Sequence, residues 1–212
     1  MEIGTAAGPA LVTIDERRDP AFLLVMTHGA GGGVGSADLL AAREAALDAG
    51  AAVALVLQPY RAAGARAPGS AGRQDAAWLE IIEALRRPYP GVPLIAGGRS
   101  NGARLACRTA RAAGAAGVIA LAFPLHPPGK ADQPERSRAG ELRSAGVPVL
   151  VVNGDRDPFG VPDAGDVDRL VVLRGEAHAL SRDPAAVRSA VRDWLGDLLP
   201  RLVTARGPGQ AV

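Results

Sequence analysis

An α/β architecture with a mostly parallel sheet is predicted by two features of the sequence. Short, continuous apolar runs recur along the chain, and amphipathic segments separate them. The runs at residues 22–27 (FLLVMT), 53–57 (VALVL), 93–96, 118–122, 147–152 and 170–173 read as strands. None alternates polar with apolar, which is the pattern of strands covered on both faces. Parallel strands need crossovers, and helices between them supply these on both sides of the sheet.

Residues 1–20 contribute one or two edge strands, around residues 11–14. Trp78, Ile81, Ile82 and Leu85 fall at i, i+3, i+4 and i+7 and mark one buried helix face. After Ser100, Ala103, Ala106, Cys107 and Ala110 form a second such face, and Arg104, Arg108 and Arg111 form the opposite one, expected to be solvated. Val187, Ala190, Val191, Trp194, Leu195 and Leu198 define a final helix, with Asp183 as N-cap and Pro184 in the first helical position. Residues 60–73 and 124–136 read as loops. A single domain over residues 1–205 is expected, with 206–212 as a frayed tail.

Composition narrows the function. Hydrophobic residues make up 48% of the chain but aromatics only 3%, so Val, Leu, Ile and Ala build the core. The net charge is +2 and the 24 basic residues are spread out, with too few aromatics to stack bases; nucleic-acid binding is not expected. Cys107 is the only cysteine, which excludes an internal disulfide and cysteine-based metal sites. Among alanines on a helix it reads as a small buried hydrophobe rather than a reactive thiol. No signal-peptide pattern opens the chain, and the longest apolar stretch, near residues 112–125, is glycine-broken and too short to span a membrane. The expectation is a soluble cytoplasmic protein without membrane association, with no metal and no cofactor.

One motif carries chemistry. In LIAGGRSNGARLAC, Ser100 sits in a Gly-x-Ser-x-Gly pattern between a strand and a helix. With 27 glycines and seven serines in 212 residues, composition alone gives roughly 0.1 accidental matches. The strand-turn-helix setting makes the serine a candidate nucleophile, because a tight turn leaves no room for Cβ atoms at Gly98 and Gly102.

A serine nucleophile needs a base, and the chain offers three histidines: His28, His126 and His178. All follow strands, where active sites of parallel sheets form. Only His178, in GEAHAL, lies downstream of every acid candidate, in the last strand-to-helix loop. The acid comes from NGDRDPFG; Asp157 lies beyond the turn, free to reach His178, and Asp155 is the alternative, with turn-capping as its other reading. HGAGGG at 28–33 lacks the Gly-Lys-Ser/Thr ending of a P-loop and fits a dinucleotide fingerprint poorly. As an oxyanion loop, it offers the N–H of Ala30 to converge with that of Asn101. His28 then hydrogen-bonds within its loop. His126 is a pocket wall or a satisfied loop histidine. Arg99 binds an anionic substrate group or forms an ion pair beneath the turn.

HGAGGG, GRSNG, FPLHPPGK, GDRDPFG and GEAHAL, in this order, resemble the α/β-hydrolase superfamily over nearly the whole chain. The sequence looks most like compact dienelactone-hydrolase-like proteins, in the branch of testis-expressed and NSL-complex-subunit hydrolase-like proteins. The resemblance implies a minimal α/β-hydrolase fold with no large lid and gives Ser100, Asp157 and His178 the triad roles. It also implies a carboxylesterase-like serine hydrolase acting on a small ester or related acyl substrate. Dienelactone hydrolases proper use a cysteine nucleophile, so their lactone is not carried over, and Ala103 stands where many relatives have a glycine. Without a lid, an open, shallow cleft and a preference for acyl chains of two to four carbons are expected. The alternatives are a hydrolase-fold interaction protein with little activity, or acyl transfer or perhydrolysis on the same triad.

Overall fold

The computed structural model describes residues 1–130 and 133–205, so the expected tail at 206–212 lies outside the described residues. In chain order the elements are β1 (Glu2–Thr5), β2 (Gly8–Asp15), β3 (Leu23–Thr27), α1 (Ala37–Asp48), β4 (Ala52–Leu57), α2 (Pro59–Ala62), α3 (Ala71–Arg86), β5 (Leu94–Arg99) and α4 (Asn101–Thr109). They continue with β6 (Gly117–Leu121), α5 (Ala139–Arg143), β7 (Val149–Gly154), β8 (Arg169–Leu173) and α6 (Pro184–Ala205). One eight-stranded sheet results, in the order β1-β2-β4-β3-β5-β6-β7-β8. β2 pairs antiparallel with β1 and β4, while β3 through β8 run parallel.

The apolar runs become β3 to β7 because both sheet faces are covered. On one face, Leu24, Met26, Ile95 and Ile119 pack with Leu39 of α1 and Trp194 of α6. On the other, Leu23, Val25, Ala96 and Val118 meet Trp78 and Ile81 of α3, Ala106 of α4 and Leu142 of α5. Alternate residues of one strand thus feed two cores, which is why the runs show no polar alternation. β8 is the edge and is only half-buried. Asp183 caps α6, its carboxylate accepting from the Ala186 N–H at 3.0 Å, with Pro184 behind it in the first turn.

Two expectations need correction. Residues 60–62 are helical within α2, and α3 already starts at Ala71, so the segment 60–73 is only partly loop. Arg104 and Arg108 are not on a solvated face. Arg104 pairs with Glu141 of α5 at 2.6 Å, and Arg108 pairs with Asp75 of α3 at 2.6 Å, so flanking helices cover this side of α4. Arg111 does remain exposed. One helix has no counterpart among the elements expected from the sequence: α1 has alanines on most of its buried positions and shows no strong apolar stripe.

The connection from β6 to α5 holds, among the described residues, a single 3₁₀ turn at Pro134–Arg136 and no inserted lid domain. No helix among the described residues is long and apolar enough to cross a membrane.

Candidate active site

Because β3, β5, β7 and β8 run parallel, their carboxyl ends share one edge of the sheet, and the loops after them converge there. Ser100 follows β5 directly. Its backbone sits at φ 54°, ψ −113°, a left-handed conformation that L-residues avoid. The strain turns the chain from strand into α4 within one residue and leaves the hydroxyl at the sheet edge.

The flanking glycines are there for space. A Cβ on Gly98 would lie 2.7 Å from the Thr27 carbonyl oxygen, and one on Gly102 would lie 2.6 Å from the same atom. β3 and the start of α4 therefore approach as closely as backbones can. Gly102→Ala is expected to destabilise the fold by about 1–3 kcal/mol, the usual cost of overpacking, since backbone cannot step aside as a side chain would. Urea unfolding of the variant checks this; an unchanged midpoint would mean that the turn is not packed against β3.

The structure brings three of the candidate residues together. His178 Nε2 is 2.9 Å from Ser100 Oγ, and His178 Nδ1 is 2.8 Å from Asp157 Oδ2. The Asp157 carboxylate is buried, and its other oxygen accepts from the Phe159 N–H at 2.9 Å. Asp155 is exposed and accepts from the Gly175 N–H at 2.7 Å, tying the β7 and β8 loops together without meeting His178. Phe159 packs edge-on against the His178 ring, with centroids 4.4 Å apart.

The loop that carries one oxyanion candidate, Ala30, passes the serine at Gly29, and the other, Asn101, follows the serine directly. Gly29 lies so near that a Cβ there would be 3.2 Å from Ser100 Cβ. Among the described residues, neither the Ala30 nor the Asn101 N–H donates to a protein acceptor. Tyr60 donates its hydroxyl to the Ala30 carbonyl at 2.8 Å, and burial raises its pKa to about 12, so it remains a donor.

His28 is fully buried. The Gln58 N–H can only donate, and it points at His28 Nε2 from 3.0 Å; the proton therefore sits on Nδ1, which donates to the Gly29 carbonyl at 2.8 Å. Burial, with a smaller contribution from the Arg61 charge, lowers the His28 pKa below 6.5. The sign follows by linkage: the unfolded chain takes up the proton first, so stability is full above pH 6.5 and falls as pH drops below it. Unfolding midpoints between pH 7.5 and 5 should decline in the parent and decline less in His28→Gln. Parallel curves would mean that His28 is already protonated in the fold.

Arg99 is not free for substrate. Its Nε lies 2.9 Å from the buried Asp38 carboxylate of α1, an ion pair too poorly aligned for a directional hydrogen bond. Its Nη2 donates to the His178 carbonyl at 2.9 Å. Burial pushes the Asp38 pKa up, against the opposing pull of Arg99. His126 makes no hydrogen bond or ring contact with Ser100, Asp157 or His178. Its backbone N–H donates to the Phe159 carbonyl at 2.9 Å, and its buried ring Nδ1 has no partner among the described residues. The Cys107 thiol is fully buried, and burial raises its pKa, which removes it as a nucleophile.

Four supporting residues went unread in the sequence. Asn153 accepts from the Phe123 N–H at 2.8 Å and donates toward Asp157 at 3.4 Å and the Gly160 carbonyl at 3.3 Å. Glu176, also buried, accepts from the Arg182 and Asp183 N–H groups at 2.8 and 2.6 Å and shapes the loop that carries His178. Asp38 anchors Arg99 from α1. Gln74 accepts from the Asn101 side chain at 2.8 Å. For Asn153 and Glu176 the available signal was a polar residue closing an apolar run or lying two residues before a candidate histidine.

Residues 20–172 match the sequence model of an alpha/beta hydrolase domain. The chain belongs to the α/β-hydrolase family. The matched span includes Ser100 and Asp157 and ends before His178. No curated protein matches the chain. Among solved structures, Est1E from Butyrivibrio proteoclasticus superposes with a TM-score of 0.76 at 15% identity, over 94% of this chain and 98% of that one. An α/β serine hydrolase without lid from Xanthomonas campestris gives 0.74 at 21% identity, over 94% of each chain. A dienelactone hydrolase from Anabaena variabilis gives 0.71 at 15%, over 93% and 96%. These likenesses establish the fold.

Proposed function

We propose that the protein is a serine hydrolase that cleaves a carboxylic ester or related acyl substrate through an acyl-enzyme. The observation that carries this reading is the continuous chain Ser100 Oγ–His178 Nε2–His178 Nδ1–Asp157 Oδ2, at 2.9 and 2.8 Å, built on a strained turn. His178 takes the Ser100 proton as Oγ forms its bond to the acyl carbon. The carbonyl oxygen becomes negative, held by the N–H groups of Ala30 and Asn101, each such donor being worth on the order of 3 kcal/mol of barrier. The carbon–oxygen bond to the alcohol then breaks, and His178 delivers the proton to that leaving oxygen. Water, deprotonated by the same ring, releases the acid and regenerates Ser100.

Asp157 holds Nδ1 protonated and compensates the imidazolium that forms. Asn153 and the Phe159 N–H keep the carboxylate aimed, and Arg99 holds the His178 loop from below. The esterase and serine-hydrolase descriptions of structural neighbours support the same reading by analogy of fold. Labelling with a fluorophosphonate tests it: the reagent should attach to the tryptic peptide containing Ser100. A protein that stays unlabelled, or that is labelled on another residue, overturns the proposal.

A further inference from the structure

A cavity of about 260 Å³, joined to the 28–33 loop through the Tyr60 hydroxyl, is left unused by the reaction scheme. Ala77, Trp78 and Ile81 of α3 line it together with Pro59 and with Ala67 and Pro68 of the α2–α3 connection. The shallow cleft expected from the missing lid is therefore incomplete. The segment after β4 forms a pocket of its own beside the edge of the sheet. Two further lining residues tie the cavity to the reacting centre. Tyr60 donates to the carbonyl of Ala30, and Gln74 accepts from the side chain of Asn101.

The strand order says which half of a substrate belongs there. The cavity follows β4, which lies beyond β3 on one side of β5, whereas Asp157 and His178 follow β7 and β8 on the other. Ser100, at the end of β5, thus stands in the strand order between β4, which leads into the cavity, and the strands that lead to Asp157 and His178. The leaving oxygen must face His178, because that ring protonates it. The acyl group is thereby directed to the opposite side. Its size follows from the volume: at about 30 Å³ per water-sized group, the cavity holds roughly nine heavy atoms. Apolar side chains make up most of its wall, and Gln58, Tyr60, Arg73 and Gln74 form the polar part.

We infer that this cavity is the acyl-binding pocket and that it selects compact apolar acyl groups of about six to nine carbons over acetyl. The inference rests on the serine-hydrolase reading and names its substrate class. kcat/KM for p-nitrophenyl esters should rise from acetate to hexanoate by up to about fourfold per methylene and fall beyond nonanoate. Ala77→Leu fills the cavity from α3, and Ala67→Phe fills it from an exposed position where folding is not at stake. Both should lower the hexanoate-to-acetate ratio at least tenfold. Ala112→Leu, at a remote exposed groove, should leave the ratio as in the parent. A profile that is flat or falls from acetate overturns the assignment, as do filling variants with the parental ratio. Binding separates this from the reaction itself. Saturation-transfer NMR should detect heptanamide on Ser100→Ala and lose it on Ser100→Ala/Ala77→Leu. Retained binding in the double variant overturns the pocket, whereas a parent that fluorophosphonate does not label overturns the hydrolase reading.

Discussion

Ser100→Ala is expected to fold as the parent does and to lose ester hydrolysis by about 10⁶-fold, the scale on which a triad nucleophile is missed. Neither of two other candidate nucleophiles among the described residues can take over. Cys107 is buried with its thiol pKa raised, and Asp157 is committed to His178 and Phe159. The backbone offers a second readout that does not depend on substrate. At φ 54° and ψ −113° any side chain with a Cβ is strained, by on the order of 1–3 kcal/mol. Alanine keeps that strain, and glycine relieves it. Ser100→Gly should therefore be as inactive as Ser100→Ala yet melt at a higher temperature. Initial rates on p-nitrophenyl hexanoate and paired melting curves check both halves. An alanine variant that retains hydrolysis within tenfold of the parent would mean that the reaction uses another nucleophile.

The parallel sheet was legible because burial on two faces writes itself into sequence as unbroken apolar runs, and β3 to β7 are such runs. Ser100 was legible for a related reason. Gly98 and Gly102 are demanded by the carbonyl of Thr27 at their Cβ positions, so steric need appears as a spacing. α1 was not, because alanines serve both its buried and its flanking positions and leave little contrast. Arg104 and Arg108 misled because an arginine on a helix has the same letter whether water or Glu141 and Asp75 faces it. Asp38, Asn153 and Glu176 are the harder cases. Each is a polar residue whose partner lies on a different element or in a loop's own backbone, and local pattern contains no trace of that partner. The acyl cavity escaped for the same reason. It exists only because the β4–α3 segment, the β1–β2 turn and α3 come together around it.

The choice between the two aspartates of NGDRDPFG gives the second large effect. Asp157→Asn should reduce turnover by about 10⁴-fold while the fold persists, the loss expected when the carboxylate that orders a triad histidine becomes an amide. The geometry explains the size. Asp157 Oδ2 accepts the Nδ1 proton of His178 at 2.8 Å, while Oδ1 is held by the Phe159 N–H. In the variant the amide oxygen competes for both donors. If it keeps the backbone N–H, the NH₂ turns toward Nδ1, and the ring is driven to carry its proton on Nε2. That nitrogen faces Ser100 and can then no longer accept. The imidazolium of the transition state also loses its buried countercharge. Asp155→Asn changes an exposed side chain whose one hydrogen bond, to the Gly175 N–H, an amide oxygen also accepts, so its rate should stay within a few-fold of the parent. Comparing kcat of the two variants on one ester decides the matter. A larger loss in Asp155→Asn would move the triad acid to Asp155 and make the His178–Asp157 contact structural.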